Sequence, residues 1–233
     1  MAQTLVFKQA LSGSYTIPSS VTNVGGYAFF VCDGLTSVSI GSNVTSIGDS
    51  AFYACASLTD VTIPASVTSI GNNAFLGCAA LTNVTINGSV TSIGNDAFEV
   101  CGNLRSVYFK GNAPNIGSDV FIDNLNPPAD DTNVSIYYLP GTTGWSSPFA
   151  SVPALMWNPL IQASGASFGI SNNQFGFNIT GTNNFTVVVE ACTNLANSAW
   201  IPLRTVTLTN GSFYFSEPLQ TNSPGRFYGL GLP

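Results

Sequence analysis

Histidine is absent from the chain, and only five of its 233 residues are lysine or arginine. The first absence removes every site built on an imidazole: the Ser-His or Cys-His pair of a hydrolase and the histidine ligands of a metal centre. The second leaves no basic stripe to neutralise phosphates, which argues against nucleic acid and anionic membrane surfaces as partners. Charged residues of either sign make up 7% of the chain, with a formal net charge of −6. An ordinary soluble domain carries about 25% charged residues, so solubility here falls to Ser, Thr, Asn and Gly. No apolar run reaches the ~18 residues that span a bilayer as a helix. The opening Met1-Ala2-Gln3 has neither the charged nor the apolar region of a signal peptide. What is abundant is apolar and aromatic: 45% hydrophobic and 12% Phe, Trp and Tyr. Such a composition does not stay disordered, and with so many turn formers it suits a mainly β protein.

The dominant feature is a repeat of 23 residues. Residues 18–40 read PSSVTNVGGYAFFVCDGLTSVSI, and 41–63, 64–86 and 87–109 repeat them nearly letter for letter. A fifth unit, 110–140, keeps the first half and then carries an insertion, and 11-LSGSYTI-17 is the tail of a degenerate first coil. In each unit LTxVTI alternates apolar with Ser or Thr, the mark of a strand with one buried face. VTSIG reads as a second short β stretch closed by Gly25, Gly48, Gly71, Gly94 and Gly117. The xxAFxxC segment has the spacing of a single helical or 3₁₀ turn. One such coil cannot close a core, so coils must stack with parallel strands and like residues above like. Phe29, Phe52, Phe75, Phe98 and Phe121 then form an internal column.

These units resemble the BspA-like leucine-rich repeats, which read SIGxxAFxxCxxLxxVxIPxSVT, and the likeness covers residues ~11–140. It implies a leucine-rich-repeat solenoid on a secreted or cell-surface protein, bacterial in many cases, with adhesion or binding roles and no catalytic residues. Residues 1–159 are expected to hold the solenoid and its caps. Residues 160–233 lose the repeat and show short alternating runs separated by turn signals, among them Asn210-Gly211, a strong hairpin pair. That pattern points to a small antiparallel β-sandwich, immunoglobulin- or fibronectin-like in outline. Its VEACTNLANSAWIPL and PGRFYGL segments are similar to C-terminal modules of secreted verrucomicrobial-type proteins.

Cys32, Cys55, Cys78 and Cys101 recur at the repeat spacing without a CxxC pair. In-register side chains point the same way, and the ~90° torsion of a disulfide would be strained there. Buried thiols are expected, and Cys192 is expected unpaired. The acids fall at variable positions and form no general acid/base pair, so the chain is read as no enzyme and as needing no cofactor. A calcium site is the weaker reading of Asp123, Asp130 and Asp131 in the inserted loop, which lacks an EF-hand pattern.

The outward strand columns Ser37, Asp60, Asn83, Ser106 and Ser39, Thr62, Thr85, Tyr108 are the candidate ligand face. Arg105, Ser106, Tyr108, Thr85 and Asn83 are the candidate contacts, because Arg and Tyr make the strongest anchors. The expected partner is a protein or glycan at a surface. A self-assembling structural subunit, associating through the open strand edges at the solenoid ends, is the rival reading. Sugar stacking on Tyr137, Tyr138, Trp145 and Trp157 is a third.

Overall fold

A computed structural model describes residues 3–5, 11–122, 134–183, 185–197, 199–219 and 225–232. The chain divides into two compact units, Met1–Met156 and Trp157–Pro233.

The first unit is a stack of coils whose strands form a long-strand sheet, a short-strand sheet and a separate parallel pair at the start. The long-strand sheet holds Asp60–Ile63, Asn83–Ile86, Ser106–Phe109, Ser135–Tyr138 and Ala154–Met156 in that spatial order. The short-strand sheet runs from Gln3–Leu5 through Val21–Val24, Ser46–Ile47, Ser69–Ile70 and Ser92–Ile93 to Asn115–Ile116. Register follows the repeat, with Asp60 opposite Asn83 and Asn83 opposite Ser106. The stack begins upstream of residue 11, because Gln3–Leu5 pairs with Val21–Val24 and Ser12–Thr16 with Gly34–Ser39.

Alternation in LTxVTI places Leu58, Val61 and Ile63 inside, with Thr59, Asp60 and Thr62 exposed. The five phenylalanines stack as a column with ring centroids 4.7, 4.9, 5.1 and 5.7 Å apart. Each of those rings, withdrawn from water, contributes about 1.5–3 kcal/mol.

The AF segment is not a helical turn. Its residues alternate between two uses of the amide: Ala51, Tyr53 and Cys55 bond three residues back within the coil, while Ser50, Phe52 and Ala54 bond carbonyls of the next coil. A helical turn would direct all of these amides along its own axis. The alternation is achieved with left-handed residues at Ser50 (φ 54), Asn73 (φ 53) and Asp96 (φ 56), and again at Ala54 (φ 55) and Val100 (φ 58). Asn, Asp and Ser at the first of these positions tolerate that region best.

A side-chain ladder beside this ridge follows the glycine column. Asp49 Oδ1 accepts from the Asn72 amide at 2.7 Å, Asn72 Oδ1 from Asn95 at 2.9 Å, and Asn95 Oδ1 from Ser118 at 3.0 Å. Gly71 must be glycine for this to happen, because a Cβ there would lie 2.4 Å from Asp49 Oδ1 and 2.6 Å from its amide.

The second unit contains two antiparallel sheets. One joins Leu160–Gln162, Gln174–Thr180, Gly169–Ser171 and Ser212–Pro218; the other joins Ile201–Leu208, Phe185–Cys192 and Phe227–Gly231. Their side chains meet where Phe177 packs on Tyr228 at 5.4 Å, beside its own sheet neighbour Phe215 at 5.2 Å. Glu217 ties the sheets together, taking Arg226 Nη1 at 2.9 Å and the Tyr228 hydroxyl at 2.5 Å. Asn210 and Gly211 do form a tight turn with φ of 54 and 75. It closes no hairpin: beyond a single Thr209–Ser212 bridge the flanking strands enter different sheets.

Candidate binding face

The outer surface of the long-strand sheet carries two columns, Asp60–Asn83–Ser106–Ser135 and Thr62–Thr85–Tyr108–Tyr137. The pairing thus brings Ser106 beside Asn83 and Tyr108 beside Thr85. Exposure falls along the stack. Ser37, Ser39, Asp60 and Thr62 are exposed, Asn83, Thr85 and Ser106 half-buried, and Tyr108 and Tyr137 buried.

Tyr108 therefore departs from its expected role as an accessible anchor. Its side chain is only 2% exposed and its ring stacks on Tyr137 at 5.4 Å. Burial pushes its hydroxyl up to about 12, against the opposing hydrogen bond with Ser106, and burial raises Tyr137 as well. Arg105 is exposed, but its Nη1 donates to the carbonyls of Gly102 and Leu104 at 3.1 Å each, which holds the guanidinium against its own turn. Asn83 Nδ2 donates to Asp60 Oδ1 at 3.4 Å and to Thr82 Oγ1 at 3.1 Å.

The aromatics considered as a sugar platform do not form one. Tyr137 faces Tyr108, Tyr138 stacks on Trp145 at 5.0 Å, and Trp157 lies edge-on to Phe185 in the second unit. Asp123, Asp130 and Asp131 lie outside the described residues; among those described, no three His, Cys, Asp or Glu side chains gather where a metal could sit.

All five cysteines are buried thiols, none of them in a disulfide. Cys55, Cys78 and Cys101 have a use that spacing alone does not reveal. Cys55 Sγ donates to the Phe29 carbonyl at 3.2 Å, Cys78 to Phe52 at 3.2 Å and Cys101 to Phe75 at 3.3 Å. Burial pushes the Cys55 thiol up to about 12. The Cys78 thiol is raised too, through its bond with Cys101 and through burial.

Sequence reading missed the concave feature of this face. Strand Gly34–Ser39 pairs on one side with Ser12–Thr16, yet it is not hydrogen-bonded into the sheet that begins at Asp60–Ile63. Thr59 crosses the gap, its amide reaching the Thr36 carbonyl at 3.3 Å and its hydroxyl at 3.4 Å. A groove of about 570 Å³ opens there, lined by Ser37–Ile40 on one side and by Asp60, Thr62, Pro64, Ala65 and Asn87 among others. Pro64 is one cause. At the same point of the next two coils Asn87 and Lys110 donate their amides to Ile63 and Ile86, at 3.1 and 2.9 Å, and proline has no amide to give.

A stack of short coils with paired parallel sheets, an internal Phe column and a Leu–Val–Ile inner row is the architecture of a leucine-rich-repeat solenoid. The pattern described as the BspA-type leucine-rich repeat region matches residues 3–126 in six copies, and the chain belongs to that family. Among solved structures, a leucine-rich repeat protein of Eubacterium ventriosum is 30% identical with a TM-score of 0.50, covering 57% of this chain and 35% of that one. A leucine-rich cell surface protein of Faecalibacterium prausnitzii is 28% identical, TM-score 0.33, over 46% and 38% of the two chains. The pneumococcal vaccine antigen PcpA is 16% identical, TM-score 0.43, over 59% and 39%. The chain thus spans about a third of the length of the Eubacterium protein. No curated protein matches it. No helix among the described residues is long and apolar enough to cross a membrane.

Proposed function

We propose that this chain is a non-enzymatic binding module of a secreted or cell-surface bacterial protein, holding a protein or glycan against the outer face of its long-strand sheet. The observation that carries the reading is the concentration of exposed polar side chains and a groove on that one face. Membership of the BspA-type family supports the surface location. Asn83, Thr85, Ser106 and Arg105 extend the same face toward the last coils. An array made mostly of hydroxyls and amides, with Asp60 and Arg105 as its charges, suits a ligand that offers many hydrogen-bonding groups. The test is surface plasmon resonance of the immobilised chain against glycans and extracellular-matrix proteins. Binding should be lost in an Asp60→Ala, Asn83→Ala double variant and kept in Thr91→Ala, which alters only the short-strand sheet. Equal loss in both would remove the long-strand face from the reading.

The structural-subunit alternative rests on Ser12–Thr16, an exposed strand paired on one side only among the described residues, in a chain with 7% charged residues. It expects fibres by negative-stain microscopy and concentration-dependent size in chromatography. A monomer that binds a ligand excludes it.

A further inference from the structure

The two sheets of the second unit are bridged along one side and parted along the other. On the bridged side the Arg204 guanidinium, from Ile201–Leu208, lies 5.3 Å from the centre of the Phe213 ring in Ser212–Pro218. On the other side the edge of the first sheet is interrupted. Leu160–Gln162 pairs with Gln174–Thr180 from Asn178 to Thr180, and Gly169–Ser171 pairs with it from Gln174 to Gly176. Phe177 lies between the two pairings, where residues 163–168 turn away from the sheet. The gap opens into a cleft of about 400 Å³, whose far wall is the start of Phe227–Gly231 in the second sheet. That volume is within the range of small-molecule sites, roughly 300–1,000 Å³.

Its walls are mostly rings. Phe168 lies edge-on to Phe175 at 5.6 Å, Phe175 stacks on Tyr228 at 5.1 Å, and Phe177 is the buried floor. Phe168 and Phe227 stand at the mouth, 41% and 45% exposed, so apolar surface there remains open to a ligand. Arg226 is the one charged residue lining the cleft, and Tyr228 carries the one hydroxyl. Both are tied to Glu217: Arg226 Nη1 donates to its two oxygens at 3.0 and 2.9 Å, and the Tyr228 hydroxyl donates to Oε1. Glu217 is thereby satisfied, while the Nε–Nη2 edge of Arg226 has no partner among the described residues. That edge is the planar pair of donors that matches a carboxylate bidentately. A sugar suits the cleft badly, because most of its hydroxyls would face rings and aliphatic carbon with nothing to bond.

We propose that this cleft binds a small aromatic carboxylic acid, its ring against Phe168, Phe175 and Phe177 and its carboxylate on the Nε–Nη2 edge of Arg226. Glu217 then acts as a positioning residue, holding the guanidinium by Nη1 so that its other edge stays free. The site lies wholly within the second unit. It stands or falls independently of the long-strand face.

The test is amide NMR titration of the full chain with hydrocinnamate, a phenyl ring on a propanoate chain. Three controls accompany it: hydrocinnamamide, which keeps the shape and loses the charge; propanoate, which loses the ring; and methyl glucoside. Saturable shifts are expected within residues 161–163, 168, 175–177 and 226–228. The amide and propanoate should each bind about tenfold more weakly than the acid, and the glucoside should not bind. Phe168→Ala, at the mouth, should weaken the acid severalfold, and Arg226→Gln should erase its advantage over the amide. If Arg226→Gln does not fold, Phe168→Ala and the comparison of acid with amide on the unaltered chain still decide. Equal binding of acid and amide, shifts confined to other residues, or no saturable shift would overturn the site. Tighter binding of the glucoside than of the acid would overturn it as well.

Discussion

At the scale of single residues, stability lies in the columns that stack inside the coils. Phe75 sits between Phe52 and Phe98, at 4.9 and 5.1 Å. Phe75→Ala should cost ~3–5 kcal/mol by denaturant unfolding, because two flanking rings cannot collapse into the hole. Thr85→Ala, on the outer face, should stay within about 0.5 kcal/mol. Gly71→Ala is expected to be worse than an ordinary glycine replacement, since its new methyl meets, besides the Asp49 carboxylate, the Asp49 amide at 2.6 Å and the Gly48 carbonyl carbon at 2.7 Å, backbone that cannot swing away. The thiol column supplies a pH test. The Cys55 thiol rises from its ordinary 9.0 to about 12 on burial, so the folded state holds a proton the unfolded chain releases. That stability is complete below pH 9 and is lost as pH climbs from 9 toward 12. The melting temperature should fall between pH 8 and pH 10.5, and fall less in Cys55→Ala. An equal drop in both would place the effect elsewhere, in the Cys78 thiol, which is raised as well, or in Tyr108.

At the scale of elements, the coil is a set of ladders, each carrying one kind of bond to the next coil. Thr45, Thr68 and Thr91 donate their hydroxyls to the carbonyls of Thr22, Thr45 and Thr68 at 3.1–3.2 Å. The Asp49–Asn72–Asn95 ladder runs beside them and satisfies amides that the turns leave over. Asn72→Ala takes the acceptor from the Asn95 amide, which is partly open to water, and should cost about 1 kcal/mol. Asn72→Asp keeps the oxygen but sets a second carboxylate where Asn72 Nδ2 donates to Asp49 Oδ1 at 3.5 Å, and should recover little of that loss in the same unfolding assay. The residues of this ladder were visible as Asp49, Asn72, Asn95 and Ser118 after each repeat glycine. Their role was not, because polar residues at a variable repeat position read equally well as solvated surface.

At the scale of the whole molecule, the two units differ in how they hold together. In the first, contacts join like positions of adjacent coils, so loss of one coil weakens its neighbours. In the second, strands far apart in sequence pair, as Gln174–Thr180 does with Ser212–Pro218 and Phe185–Cys192 with Phe227–Gly231. A fragment of residues 157–233 should fold alone, with dispersed amide resonances, since Phe177, Ile179, Val187, Val189, Leu208 and Phe215 are all buried within it. Calorimetry of the full chain should then resolve two transitions. A collapsed spectrum from the fragment would show that its core depends on residues before 157.

The repeat period alone determined most of the first unit: which residues face inward, that the strands are parallel, and that Phe lies above Phe. These follow from strand alternation and from the stacking of identical coils, both local rules. The second unit was legible as antiparallel strands, but not which strands pair. Asn210-Gly211 makes the turn its residues dictate, while the sheets into which its arms run are set by burial of Phe177 and Leu208, which no local signal encodes. The candidate face divides the same way. Its Ser, Thr and Asn columns could be read from the repeat, whereas the burial of Tyr108 under Tyr137 and the opening beside Pro64 depend on what each coil meets across the stack. A side chain's direction is a property of its own strand, but its exposure is a property of its neighbours.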